Sequence, residues 1–497
     1  MIKLDAENFI KLREDFQLGS LLTESSHPKT KNLSTLVHED LNKAITLLQS
    51  IDKDVFDNCE RYAPRIYELA CHIQNVKESG GKLFLCGCGA TGRLSLAIET
   101  FYRQSYDDDF VKSFMAGGDY ALIKSVESFE DSKDFGARQL NDLGFKDGDL
   151  LLAITEGGET SFVIGACEAA SQISHVNPFF IYCNPDEQLM SVDRSRQVIE
   201  NENIKKLNLT TGPMALAGST RMQASTMQML AVSLALFDYH ADYSYFEKQL
   251  TDILQTLKEL ELSELSKMIE FESNHYKNDG FITYITSSLS AMTVLTDTTE
   301  RSPTFSLRGF EKTNEKDPAL AFLVIKDTDD IKQAWSQLLN RTPRCLEWQD
   351  IPFKLDLEEL YLFDISEKSI ERRNAFKNEL IGIDKKQDLY EFNFGEESIQ
   401  IAVPNLKPIY QEIALKTILN IQSTLIMGLL GRYEYNMMSY VKPSNLKLID
   451  RCLRYIKEIL NDEKISEEEL INTLFSEIKN LTPDEAIVLK VVSKFKS

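Results

Sequence analysis

The chain has 497 residues, 43% hydrophobic and 27% charged, with a formal net charge of -22. That is an ordinary globular composition, long enough for two or three domains. The acidic balance argues against nucleic acid and anionic membranes as partners, because both are recognised by basic patches. A phosphate bound here must be captured by a local pocket against the overall field.

The first residues, "MIKLDAENFIKLREDFQ", are acidic and amphipathic and lack the apolar run of a signal peptide. No stretch approaches the roughly 18 uncharged apolar residues of a membrane span. The eight cysteines are scattered and several sit in apolar runs, as free buried thiols do. These features predict a cytoplasmic, reduced protein. The six histidines are isolated, and Cys86-Gly-Cys88 has no second pair at zinc spacing, so neither a metal nor a cofactor is expected.

After an N-terminal helical segment (1–55), apolar runs alternate with helical patterns. Lys82–Cys86, Leu150–Thr155 and Pro178–Cys183 read as strands, and Ser161–Ser171 as a helix between them. Such alternation predicts a parallel sheet with ligands at the carboxyl ends of its strands. Gly218–Ala241 reads as a long helix and Glu247–Ser273 as a helical connector. The alternation resumes with strands at Gly280–Thr286, Ala319–Ile325, Leu357–Ile365 and Ser398–Pro404, then a helix at Ile409–Leu430. From Gly431 everything reads as helix. The expected division is a first α/β unit at 56–245, a second at 246–430 and a small helical unit at 431–497.

Four loops carry chemistry. In "CGCGATGR", Gly87 to Gly92 joins a strand to a helix, so that backbone N–H groups at Gly89 and Ala90 and the Thr91 hydroxyl suit an anion. The alternative is a tight structural turn. In "AITEGGETSFVIGA", Thr155, Glu156 and Gly157 follow a strand; Glu156 and Glu159 are expected to point away from a phosphate. In "GPMALAGSTRM", Ser219 and Thr220 open a helix, with simple capping as the alternative and Arg221 in the first turn. In "AGGDYALIKSVESFEDS", Glu127, Glu130 and Asp131 cluster, as a solvated helix face also would.

Taken in order, GCGATGR, AGGDYAL…VESFEDS, AITEGGETSFVIGA, CNP and GPMALAGSTRM resemble the SIS sugar-phosphate-binding family, in the branch that holds N-acetylmuramic acid 6-phosphate etherase and glucokinase regulatory protein. "LTESSHPKT" (Leu22–Thr30) and "MMSYVKPSNLKLIDRCLRYI" (Met437–Ile456) are similar to that branch's N-terminal and lid motifs. The resemblance implies two tandem SIS-type, flavodoxin-like parallel-sheet domains forming a pseudo-dimer, with a helical C-terminal lid.

It also implies a set of site residues. Ala90-Thr91 stands where the family has two hydroxyls, Thr155-Glu156-Gly157 where it has a second phosphate contact, Glu130 at the sugar carboxylate and Lys447 at the lid lysine. The family's second carboxylate falls on Phe101 in the first half. Glu99 is two residues away, roughly 200° round the helix, and is not accepted in its place. "DTTERSPTF" in the second half offers Glu300 instead, with an ion pair to Arg301 or Arg308 as the alternative. The second half's own loop, "ITSSLSAMT", has no glycine between Gly280 and Gly309, so one site per chain is expected.

Two functions follow from the resemblance. The first is a sugar-phosphate-responsive regulator of the glucokinase regulatory protein kind, with fructose 6-phosphate or an amino-sugar 6-phosphate as ligand and a sugar kinase as possible partner. The alternative is an etherase acting on N-acetylmuramic acid 6-phosphate, with Glu130 and Glu300 as catalytic pair. Sugar isomerisation is weaker, because no histidine lies in these loops.

Overall fold

The computed structural model describes all residues except 1–4, 13–17, 127, 239–241, 444, 463, 483–484 and 497. Glu127, expected in the acidic cluster, therefore lies outside the described residues. No helix among those described is long and apolar enough to cross a membrane.

The first half is built on five strands: β1 (Leu83–Gly87), β2 (Val111–Met115), β3 (Leu150–Ile154), β4 (Phe179–Tyr182) and β5 (Lys205–Asn208). They are all parallel, in the order β2-β1-β3-β4-β5. β1, β3 and β4 are buried throughout, as a sheet covered on both faces requires. The strand order reverses between β1 and β3, which opens a crevice at their carboxyl ends.

The second half repeats the start of this plan. β6 (Phe281–Thr286) lies between β7 (Ala321–Ile325) and β8 (Asn378–Lys386), all parallel. The sheet then continues with β9 (Leu389–Phe394) and β10 (Glu397–Ala402), which are antiparallel. Two other expectations are corrected here. Residues 357–365 do not form a strand; Leu357–Leu360 is a helical turn that starts on Asp356, whose carboxylate accepts from the Glu359 N–H at 2.9 Å. The C-terminal unit is not wholly helical, because a short hairpin pairs Tyr433–Glu434 with Met437–Met438. Helix Leu41–Cys59 runs through position 55, and helix Tyr243–Lys258 through position 245.

Four helices join the halves: α1 (Ala90–Ser105) and α2 (Gln223–Phe237) from the first, α3 (Ser288–Phe305) and α4 (Pro408–Leu429) from the second. Every residue of α2 is buried, and so is α4 from Ile409 to Gly428. Helices apolar all round belong in an interior. Several buried polar groups are paired across the seam. Arg221 meets Asp297 at 3.2 Å, and the Lys416 amine donates to the Arg221 carbonyl at 2.9 Å and the Thr226 hydroxyl at 2.8 Å. The lid helix α5 (Leu446–Leu460) is capped by Asn445, whose side chain accepts from the Leu448 N–H at 2.9 Å.

Candidate functional site

A cavity of about 310 Å³ opens at the β1/β3 crevice. Elements from all parts of the chain wall it. Gly89 and Ala90 come from the loop after β1, Glu156 and Gly157 from the loop after β3, and Ser219 and Thr220 from the segment before α2. Glu130 reaches it from the loop after β2, Glu300 from α3, and Lys447 from the lid. Gly89 sits at φ +55°, a conformation glycine adopts without strain, and it lets the chain turn directly into α1.

Two expected residues face elsewhere. The Thr91 hydroxyl accepts from the Cys88 N–H at 3.0 Å and donates to the Cys88 carbonyl at 2.9 Å, so it ties its own loop. The Thr155 hydroxyl lies 3.1 Å from that of Thr160 and accepts from the Gly158 N–H. By contrast, Ser219 is buried on the cavity wall and its hydroxyl has no partner among the described residues. A buried hydroxyl without a partner costs about 1–3 kcal/mol unless something binds it. Arg221 precedes the helix rather than sitting in its first turn.

The charged walls are cross-linked. Arg93 of α1, wholly buried, donates to Glu300, and also to the Leu122 and Ala121 carbonyls and the Thr299 hydroxyl. Glu300 therefore pairs with Arg93 and not with its sequence neighbours. Arg301 turns instead to Glu272 and Asp297, and Arg308 to Glu315 and Asp317. Lys447 donates to Glu159 at 2.6 Å and to Glu130 at 3.3 Å. Burial works to lower the Lys447 amine, but Glu159, Glu130 and Glu24 outweigh it and hold the amine well above its usual range. Burial likewise pushes the Glu159 carboxyl up, and Lys447 with Arg194 overrides it, bringing it to about 2.

Glu156 and Glu159 both line the cavity, against the expectation that they point away. Among the described residues Glu156 has no cation bonded to it. Its carboxylate accepts from the Ser225 hydroxyl, at 2.8 Å. Burial raises it, the Ser225 bond opposes this, and the net result is about 7. Glu99 points away from the cavity into an inter-half cluster with Arg341 and Arg344. Burial pushes it up and those arginines pull it down to about 2.

Sequence reasoning missed Arg93 and the clasp behind the lid. Glu24, buried in the "LTESSHPKT" segment, accepts from Arg451 at 2.6 and 3.0 Å and from Arg454 at 2.8 Å. Thr23 is held to Asn184 of the CNP turn by two hydrogen bonds. The quoted motifs contained both residues, but no local pattern pairs residues more than 400 positions apart.

The corresponding crevice of the second half holds a different cavity, about 460 Å³, lined by Phe101, Tyr106, Leu289, Lys385, Lys407 and Glu412 among others. Both its lysines are already paired, Lys385 with Glu412 and Lys407 with Asp238.

Residues 65–171 match the family model of the glucokinase regulatory protein N-terminal SIS domain. An N-acetylmuramic acid 6-phosphate etherase of Prochlorococcus marinus MIT 9303 is 33% identical over 230 residues, 45% of this chain and 67% of that protein. The corresponding etherase of Aliivibrio fischeri MJ11 is 30% identical over 221 residues, 44% of this chain and 68% of that protein. The chain belongs to the SIS-domain sugar-phosphate-binding family, in the branch of these etherases and glucokinase regulatory protein. The C-terminal domain of glucosamine-fructose-6-phosphate aminotransferase from Francisella tularensis superposes with a TM-score of 0.45 at 12% identity, over 78% of this chain and 96% of that one. In this SIS protein the cavity of about 310 Å³ lies between β1 and β3, and Glu300 brings the second half into its wall.

Proposed function

We propose that the cavity binds a 6-phosphorylated amino sugar and cleaves its lactyl ether, in the manner named for the N-acetylmuramic acid 6-phosphate etherases. The observation that carries this reading is the convergence of Glu130, Glu300 and Lys447 from three parts of the chain on one crevice. The loop at Gly89 and Ala90 and the hydroxyls of Ser219 and Thr220 face the phosphate. The two carboxylates flank the sugar.

The reaction removes the proton from the carbon beside the acetal carbon and breaks the neighbouring carbon–oxygen bond. Lactate leaves as its ether oxygen takes up a proton, and water then adds across the double bond. One carboxylate serves as base and the other as acid. No metal or redox group enters this balance. The test is incubation with N-acetylmuramic acid 6-phosphate and assay of lactate, with Glu130→Gln and Glu300→Gln as controls. Lactate release lost in either variant supports the reading; equal release in all three proteins overturns the assignment of the pair.

A second reading is a ligand-responsive regulator, with a sugar kinase as partner. The clasp of Glu24 on Arg451 and Arg454 favours it, because it couples the lid to the cavity wall. A ligand that bound the closed lid selectively would shift which surface the protein presents. Binding of the sugar phosphate without lactate release would favour this reading over the first.

A further inference from the structure

The cavity has little positive charge to spare. Arg93, Arg221, Lys447 and Arg451 are each committed to a carboxylate, namely Glu300, Asp297, Glu159 and Glu24. Among the described residues only Lys442, exposed at the rim, adds to them. A phosphate entering beside Glu156 therefore meets no uncommitted buried cation and draws on neutral donors as well. The unpartnered Ser219 hydroxyl is one. Glu156, on the wall without a cation bonded to it, is a further side chain placed to donate.

We infer that Glu156 is a proton-bearing wall of the phosphosugar cavity, whose acid form donates a hydrogen bond to the ligand phosphate and whose anion expels it. The inference rests on the reading of the cavity as a phosphosugar site. It holds for a catalyst and for a sensor alike, and it makes ligand occupancy fall as pH rises above neutrality.

The groups that face Glu156 are Cys88 after β1, Cys183 after β4, Ser225 on α2, Glu300 on α3, Lys416 on α4 and Lys447 on α5. Burial holds both thiols well above their usual range, and Lys447 stays charged for the reasons given. Two groups then titrate near neutrality. Burial sets Glu156 at about 7 and lowers the Lys416 amine to about 7. Lys416 is turned toward Arg221, Thr226 and Asn420 and does not line this cavity. Removing the Glu156 charge alone separates the two.

The experiment measures the Kd of N-acetylglucosamine 6-phosphate by titration calorimetry from pH 7.5 to 9, where a phosphate monoester with a second pKa near 6 is already dianionic. With one proton linked to binding, the wild-type Kd should weaken about tenfold per pH unit. Glu156→Gln, an amide that still donates, should bind with a flat profile at the tight end. Ser225→Ala removes the bond that favours the anion, so its loss of binding should begin at higher pH than in wild type. A flat wild-type profile, or an equally steep one in Glu156→Gln, would overturn the inference. No binding by wild type at any pH would instead overturn the phosphosugar reading itself.

Discussion

Arg93 of the first half donates to Glu300 of the second, and through this buried bond the two halves share one cavity wall. Glu300 reaches the crevice between β1 and β3 because α1 and α3 pack against each other along the seam. Breaking a buried pair by removing one partner leaves an uncompensated charge and costs about 3–5 kcal/mol. Arg93→Ala should lower the unfolding free energy by that order, read by urea denaturation. Glu300→Gln keeps an acceptor for Arg93 but not its counter-charge, and should destabilise less than Arg93→Ala while still removing activity.

Lys447 is expected to act on the lid and on the ligand together. Lys447→Met should weaken sugar-phosphate binding by about ten- to a hundredfold, about 1.4–2.8 kcal/mol. It should also change the acid limb of stability. Glu159 lies at about 2 in the folded chain against an ordinary value of 4.5, so its contribution is present above about 4.5 and is lost as pH falls toward 2. Glu99, also at about 2, follows the same course through Arg341 and Arg344. The variant should lose the Lys447 share of the Glu159 slope, keep the share that Arg194 supplies, and keep the Glu99 part, as measured by the pH dependence of the denaturation midpoint.

Asp52 offers a test with the opposite sign. It is buried and accepts from the Gln223 side chain at 2.7 Å. Burial raises its carboxyl to about 6, against the opposing Gln223 bond. Its stabilising share is complete below the ordinary value of 3.8 and is lost as pH rises through about 6. Asp52→Asn keeps the acceptor and removes the charge. It should gain up to about 3 kcal/mol at pH 8 relative to wild type, since each tenfold change in proton affinity between the folded and unfolded chain is worth about 1.4 kcal/mol. At pH 4 the two proteins should differ little.

Gly218 seats the lid. It stands at φ +68°, and a Cβ there would meet the Arg451 Nε at 2.9 Å and the Tyr455 hydroxyl at 3.0 Å. Tyr455 donates to the neighbouring Ala217 carbonyl at 2.6 Å. Gly218→Ala should therefore strain the turn by about 1 kcal/mol and loosen α5. Limited proteolysis should cut between 431 and 460 faster in the variant than in wild type.

Much of the site was legible because its loops are continuous in sequence. The runs at Leu83, Leu150 and Phe179 are fully buried strands, and such runs stand out as unbroken apolar stretches. β2 and β5 were missed because they are edge strands with lysines in them, Val111–Met115 and Lys205–Asn208. β9 was missed for a different reason: it alternates buried and half-buried residues, and a search for continuous runs passes over that pattern. Glu300 and Lys447 were found through the family resemblance. Their partners Arg93 and Glu159 were not, because those contacts join residues 207 and 288 positions apart. Charge alone places Glu156 outward, but the structure places it on the wall beside Ser225, where burial raises its carboxyl to about 7.

The most direct test of the shared cavity is a crystal structure of the protein with N-acetylglucosamine 6-phosphate. The account predicts the phosphate at Gly89, Ala90 and Ser219, and the sugar within hydrogen-bond reach of Glu130 and Glu300. Ligand bound instead in the second-half cavity beside Lys385 and Lys407, or bound in the first crevice with Glu300 out of reach, would contradict it.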